Sequence, residues 1–173
     1  KVETSGAAKS ISRETTFGKD TRNRVYLKAT LRYLGERVGA DLRRQGKQAR
    51  SINLKLRYAD FTTLTRSYTP PQATDGDLMI FQTGLKLLDK ALAAEKQPVR
   101  LIGIGVSNLV EAGGQLAMLD SSAQRQVQLN KTIDRIRQKY GFTSIQTGQT
   151  LLLKDLYSEK NKDYNLHTPS LSR

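Results

Sequence analysis

Residues 50–58, Arg50-Ser-Ile-Asn-Leu-Lys-Leu-Arg-Tyr58, alternate without a break. Ile52, Leu54, Leu56 and Tyr58 fall on one side and Ser51, Asn53, Lys55 and Arg57 on the other, the period-2 pattern of a strand with one buried face. The two faces demand different neighbours. The apolar one needs a covering layer, whereas the other carries cations and amides that no core accepts.

Upstream, Leu27, Leu31, Leu34, Val38 and Leu42 recur at helical spacing, with Asp20 or Thr21 as candidate N-cap and Gln45-Gly46 as the stop. Before that helix, Lys9–Phe17 alternates and is rich in Ser and Thr, which suits another strand. Downstream, Ala59-Asp60 turns into a Thr-rich strand over Phe61–Thr69, stopped by Pro70-Pro71. A second helix opens at Thr74 to Asp77, with Asp75 and Asp77 suited to its positive N-terminus and Leu78, Phe81, Leu85, Leu88 and Leu92 as its stripe. Pro98 closes it, and Val99–Leu109 reads as a fourth strand.

The expected fold is therefore α+β: a β-α-β-β-α-β order with a four-stranded sheet and both helices on one face, the split pattern of ferredoxin-like sheets. A C-terminal tail follows. Gln124–Tyr140 has the spacing of a third helix, and Thr143–Leu153 is a candidate further strand. The expected organisation is a linker at 1–8, a domain at 9–112, a flexible segment at 113–122, a helix-strand tail at 123–157 and disorder at 158–173.

The 173 residues suit one compact domain with appendages. They carry 29 Lys+Arg against 16 Asp+Glu, a net charge of +13. Residues 1–60 hold 15 bases and 6 acids, residues 61–120 hold 5 and 6, and residues 121–173 hold 9 and 4. Charge concentrated in the first third points to a polyanionic partner. With no cysteine, disulfides and thiolate chemistry are excluded. No apolar run is long enough to span a membrane, so no membrane partner is expected and the cytoplasm is the natural compartment.

Catalytic constellations are scarce. His167 is the only histidine and lies in a polar segment, which leaves no support for a His-based triad or metal site. Helix capping accounts for Asp75 and Asp77 better than a metal pair does. Gly103 and Gly105 form a GxG that neither extends to GxGxxG nor opens a helix, so it is no dinucleotide loop. No catalytic residue and no metal ligand is expected in this chain, which by itself is not read as an enzyme.

Three stretches carry a resemblance to a known family: Lys9-Ser-Ile-Ser-Arg-Glu-Thr-Thr-Phe17, Phe61-x-x-x-Thr65-Arg66-Ser67 and Val99-Arg-Leu-Ile-Gly-Ile-Gly-Val-Ser107. They resemble the little finger of Y-family translesion DNA polymerases, nearest the bacterial DNA polymerase IV class, over about residues 9–120. The resemblance implies a four-stranded sheet backed by two helices, tethered to a thumb by residues 1–8 and lying in the DNA major groove. It also implies that palm, fingers and thumb precede it, with the Mg²⁺-binding carboxylates, as domains of the same polypeptide. No cofactor is expected in this part.

On that basis Lys9, Ser10, Ser12, Arg13, Lys47, Arg50, Asn53, Lys55, Arg57, Thr63, Thr65, Arg66, Ser67, Gly103, Gly105 and Ser107 are the expected contacts to primer–template duplex. Their chemistry suits phosphate: cations, hydroxyls and, at the glycines, a backbone that a duplex can approach. None selects a base without a bidentate arrangement, so the grip should be sequence-independent. Relatives often carry bases on the outer face of the last strand, where this chain has Leu101 and Gly105, which shifts the expected contacts to strands one to three.

Gln115-Leu-Ala-Met-Leu119 resembles the bacterial sliding-clamp-binding pentapeptide. Leu116, Met118 and Leu119 would fill apolar pockets while Gln115 bonds at the rim. Leu119 replaces the Phe of the strongest form, and Gln149-Thr-Leu-Leu-Leu153 is a poorer match that reads as a core strand. The rival to a polymerase module is a free-standing ferredoxin-like RNA-binding domain, which would display aromatics for base stacking. Aromatics are only 6% of residues, and the outward strand positions are Thr, Ser, Lys and Arg. A purely structural domain is the third reading.

Overall fold

The structure is a computed structural model and describes residues 9–113 and 121–153. Its elements are β1 (Ser10–Thr21), α1 (Arg24–Arg44), β2 (Lys47–Tyr58), β3 (Thr63–Tyr68), α2 (Asp77–Ala94), β4 (Val99–Glu111) and α3 (Ser121–Tyr140), then short 3-10 turns at Phe142–Ser144 and Gly148–Leu153. The expected β-α-β-β-α-β order is present. Strands lie in the order β1-β4-β2-β3, each neighbouring pair antiparallel. Both β-α-β units are split: β4 separates β1 from β2, and β2 separates β3 from β4.

The inward faces of β2 and β4 supply Ile52, Leu54, Leu56, Ile102, Ile104 and Val106, all essentially inaccessible to water. On α1 the whole stripe Leu27, Leu31, Leu34, Val38 and Leu42 is fully buried against them. Each such side chain stabilises the fold by about 1.5–3 kcal/mol relative to exposure. The helix starts later than expected. β1 runs on to Thr21, and Asn23 is the cap, its Oδ1 accepting from the Val25 and Tyr26 amides at 3.0 and 3.1 Å. Thr21 Oγ1 instead accepts from the Asn23 amide, and Asp20 pairs with Arg100. Gly46 ends α1 at φ +62°, which a side chain would strain.

α2 departs further. Its N-cap is Gly76, without a side-chain cap bond, so neither Asp75 nor Asp77 caps it. Asp77 is buried and takes a 2.8 Å bond from Arg43 Nη1, while Asp75 offers Arg43 its backbone carbonyl. The buried line is Ile80, Phe81, Gly84, Leu88 and Ala91; Leu78 is exposed, and Leu85 and Leu92 pack only at the margin. β3 is shorter than expected because Phe61 takes a positive φ of 67° in the hairpin loop, where Asp60 Oδ1 accepts from the Thr62 amide and hydroxyl.

Thr143–Leu153 forms no strand. It folds as the two 3-10 turns, which nonetheless bury Thr150 and Leu153 at the core. α3 forms a third layer behind α1. Glu36 and Arg43 stand half a turn round α1 from the leucine stripe, away from the sheet. Arg137 Nη2 donates to Glu36 Oε2 at 2.5 Å, and Arg43 grips both Asp134 oxygens at 2.6 and 2.9 Å. Phe142 meets Tyr33 edge-on, with the Arg137 guanidinium 4.1 Å from its ring centre.

Burial pushes the Asp77 carboxyl up to about 6, because the one hydrogen bond from a guanidinium shared with Asp134 does not offset its desolvation. Burial works against the Arg43 charge as well, but Asp134 and Asp77 more than compensate and hold it above its ordinary value.

Candidate nucleic-acid interface

The sheet has one face without helices. Residues directly opposite in an antiparallel pair share a face, so the registers define what that face displays. Four cross-strand rows result: Ser10, Ser107 and Ser51; Ser12, Gly105, Asn53 and Ser67; Glu14, Gly103, Lys55 and Thr65; Thr16, Leu101, Arg57 and Thr63. Among the described residues these rows hold no aromatic ring and a single acid.

Hydrogen bonds tie the rows together. Asn53 Nδ2 donates to Ser107 Oγ at 3.1 Å, Asn108 Nδ2 to Ser51 Oγ at 2.9 Å, and Arg57 Nε to Thr63 Oγ1 at 3.1 Å. Lys55 Nζ donates to Glu14 Oε2 at 2.8 Å. This pair spans from β2 to β1 above β4, over Gly103. A Cβ on Gly103 would come within 2.8 Å of the Glu14 Cβ, and one on Gly105 within 2.8 Å of the Ser12 Cβ. Both glycines are buried, so they admit neighbouring side chains rather than leaving backbone open to a ligand, which corrects the expected role of Gly103 and Gly105.

The expected contact residues sort by strand parity. Ser10, Ser12, Asn53, Lys55, Arg57, Thr63, Thr65, Ser67 and Ser107 share the open face, and Lys9 is exposed just before β1. Arg13 does not. It falls on the helix side with Thr15 and Phe17 and forks Asp41 of α1 at 2.6 and 3.0 Å. Arg66 lies opposite Leu54, again on the helix side. Arg50, two residues before Ile52, lines a cleft behind the sheet, and Lys47 is bound to Glu111 at the start of β2. Glu14 is not among the expected contacts, although its parity with Ser10 and Ser12 marks it as outward. Gln115, Leu116, Met118 and Leu119 lie outside the described residues, as do His167 and residues 1–8.

The cleft behind the sheet measures about 1480 Å³ between α1, residues 69–79 and α3. Its charges are consumed internally only in part. Arg13 and Arg44 meet Asp41, Arg43 meets Asp134 and Arg137 meets Glu36, whereas Arg37, Arg50, Lys131 and Arg135 on its lining form no ion pair among the described residues. Among the described residues no group of three or more potential ligands is placed to hold a metal, and no helix is long and apolar enough to cross a membrane.

The comparisons with known proteins agree with this geometry. A family described as the impB/mucB/samB family C-terminal domain matches residues 8–119. A protein named DNA polymerase IV from Dehalococcoides mccartyi is 49% identical over 156 residues, covering 90% of this chain and 40% of its own. Another of that name from Desulfatibacillum aliphaticivorans is 36% identical over 149 residues, covering 84% of this chain and 37% of its own. The chain thus spans about 40% of the length of these relatives. A post-insertion binary complex of Dbh DNA polymerase superposes with a TM-score of 0.54 at 16% identity, over 59% of this chain and 29% of that one, a likeness of fold. With an open sheet face backed by two helices and a family match over most of its domain, this chain belongs to the impB/mucB/samB C-terminal domain family, the little finger of Y-family DNA polymerases.

Proposed function

We propose that this chain grips duplex DNA through its open sheet face, without reading sequence, as the C-terminal module of a translesion polymerase of the DNA polymerase IV class acting in DNA damage tolerance. The observation that carries this reading is the set of cross-strand rows of hydroxyls, amides and cations on an uncovered sheet. Such groups hydrogen-bond phosphate and sugar oxygens, which position a duplex and carry no base code. A polymerase that passes varied lesions needs that indifference. The absence of aromatic rings from these rows speaks against the RNA-binding alternative, which depends on base stacking. Catalytic carboxylates, Mg²⁺ ions and the incoming nucleotide belong in this reading to the preceding domains of the same polypeptide.

Binding of a short mixed-sequence primer–template, measured by anisotropy across a salt series, tests the grip. Lys55→Ala with Arg57→Ala should weaken all sequences alike and flatten the salt dependence by about two, since each phosphate contact contributes roughly 0.9 to the slope. A preference for one sequence, or for single-stranded RNA, would overturn it. Gln115–Leu119 is proposed as the contact to a bacterial sliding clamp: Leu116→Ala with Leu119→Ala should abolish clamp binding and leave duplex affinity unchanged.

A further inference from the structure

Seven of the fifteen cations in the first sixty residues are held in ion pairs. Arg13, Arg24, Arg32, Arg43, Arg44, Lys47 and Lys55 each engage a carboxylate. α3 is built the other way. Its one acid, Asp134, is turned inward and held by Arg43, and its buried cation, Arg137, is held by Glu36. Arg125, Lys131, Arg135 and Lys139 are left exposed, and none forms an ion pair among the described residues. At 100° per residue these four, with Gln128 and Thr132 between them, occupy one outward arc of less than half the helix circumference. From residue 125 to residue 139 that arc runs for about 21 Å, alongside which duplex DNA presents roughly a dozen phosphate charges.

We infer that α3 is a second phosphate-backbone site, which holds a segment of duplex other than the one on the sheet. The inference rests on the reading of this chain as a DNA-binding module. Two features favour nucleic acid over a lipid surface. The arc pairs its cations with an amide and a hydroxyl, which suit phosphate and sugar oxygens. An interfacial membrane helix needs a broad apolar face opposite its cations. Here that side is held to α1 through Asp134 and Arg137, with Asn130 buried beside them, and only Leu129 and Tyr140 are exposed large apolar residues on the helix. α3 is tied to the side of α1 turned away from the sheet, through Arg43–Asp134 and Glu36–Arg137. Its outward arc and the open sheet face therefore look in different directions, with Lys131 and Arg135 also lining the cleft beside α1. A straight duplex on one cannot touch the other. The module therefore bridges two stretches of DNA.

Stoichiometry and salt dependence of short-duplex binding test this on the whole chain. Wild type should take up two duplexes at low salt. Arg125→Gln, Lys131→Gln, Arg135→Gln and Lys139→Gln combined should remove one of them and flatten the overall salt slope by about 3.6, at roughly 0.9 per phosphate contact. Gln keeps helix propensity, and the inward Asp134 and Arg137 are untouched, so the fold is retained. Arg125→Lys with Arg135→Lys, which preserves the charge, should behave as wild type. If the four-Gln variant keeps wild-type stoichiometry and slope while Lys55→Ala with Arg57→Ala loses binding, the α3 site is overturned and the sheet grip stands. Loss of binding to anionic lipid vesicles by the four-Gln variant, with duplex binding unchanged, overturns it too. No duplex binding by the wild-type chain overturns both readings.

Discussion

Glu14 reaches across an entire strand to Lys55: its Oε2 accepts from Lys55 Nζ at 2.8 Å, above Gly103 of the intervening β4. Gly103 makes this possible, because any side chain there would stand in the path. The pair also restrains the central cation of the proposed DNA face. A phosphate that recruits Lys55 must displace a carboxylate that repels it, which lowers affinity and eases release.

Glu14→Gln should therefore tighten duplex binding and steepen its salt slope by about one, as a freed cation joins the contact. Anisotropy titrations of both proteins over a salt series check this. Equal slopes would mean that Lys55 does not meet phosphate.

Gly103→Ala should lower stability by about 1–3 kcal/mol, the usual cost of forcing an added methyl into a packed site. The collision is with the Glu14 Cβ, so Glu14→Ala leaves the loss in place. Urea melts of the two variants and their combination give the answer, and rescue by Glu14→Ala would show that the carboxylate rather than its stem fills the space.

On α2 the burial pattern ranks the leucines. Leu88 is fully enclosed, so Leu88→Ala should cost about 2–5 kcal/mol, as should Leu31→Ala on α1. Leu85 packs at the margin, and its truncation should cost clearly less. Denaturant midpoints at constant m separate the cases. A Leu85→Ala loss as large as that of Leu88→Ala would contradict the observed helix rotation.

Arg137→Ala strands Glu36 beneath the tail with only Arg32 and Thr147 as partners. Breaking a buried pair from one side typically costs roughly 3–5 kcal/mol. The loss should appear first as faster proteolysis within 121–153, with the sheet and its two helices protected for longer. Unchanged cleavage would mean that the 3-10 turns and Leu153 alone dock the tail.

Asp77 binds its proton more tightly in the folded state, at about 6 against an ordinary 3.8, so it favours folding most at low pH. That contribution is complete below the unfolded value and is lost as pH rises through about 6. Asp77→Asn is neutral throughout and can still accept from Arg43. Relative to wild type it should gain on the order of 1–3 kcal/mol between about pH 4 and pH 7, read from melts at each pH. Parallel stability curves would place the Asp77 carboxyl at its ordinary value.

The sequence by itself determined the order of elements, the covering of one sheet face and the chemistry of the other. Local periodicity suffices for that: alternation over Ser51–Tyr58 and the stripe Leu27–Leu42 each name a buried side without reference to any partner. Parity along β1 would also have exposed Glu14 as outward and Arg13 as inward. Tertiary structure alone decided the β1-β4-β2-β3 order, because pairing depends on which strands meet and several orders bury the same stripes. It alone decided the rotation of α2, which is apolar on more than one side, so that packing against Ile104 and Leu31 chose Gly84 as the contact. It alone decided where charge remains free. A sequence counts cations evenly, whereas folding brings Asp41, Glu36 and Asp134 onto arginines 28, 101 and 91 residues away and leaves Arg125, Lys131, Arg135 and Lys139 of α3 among the cations without an ion pair in the described residues.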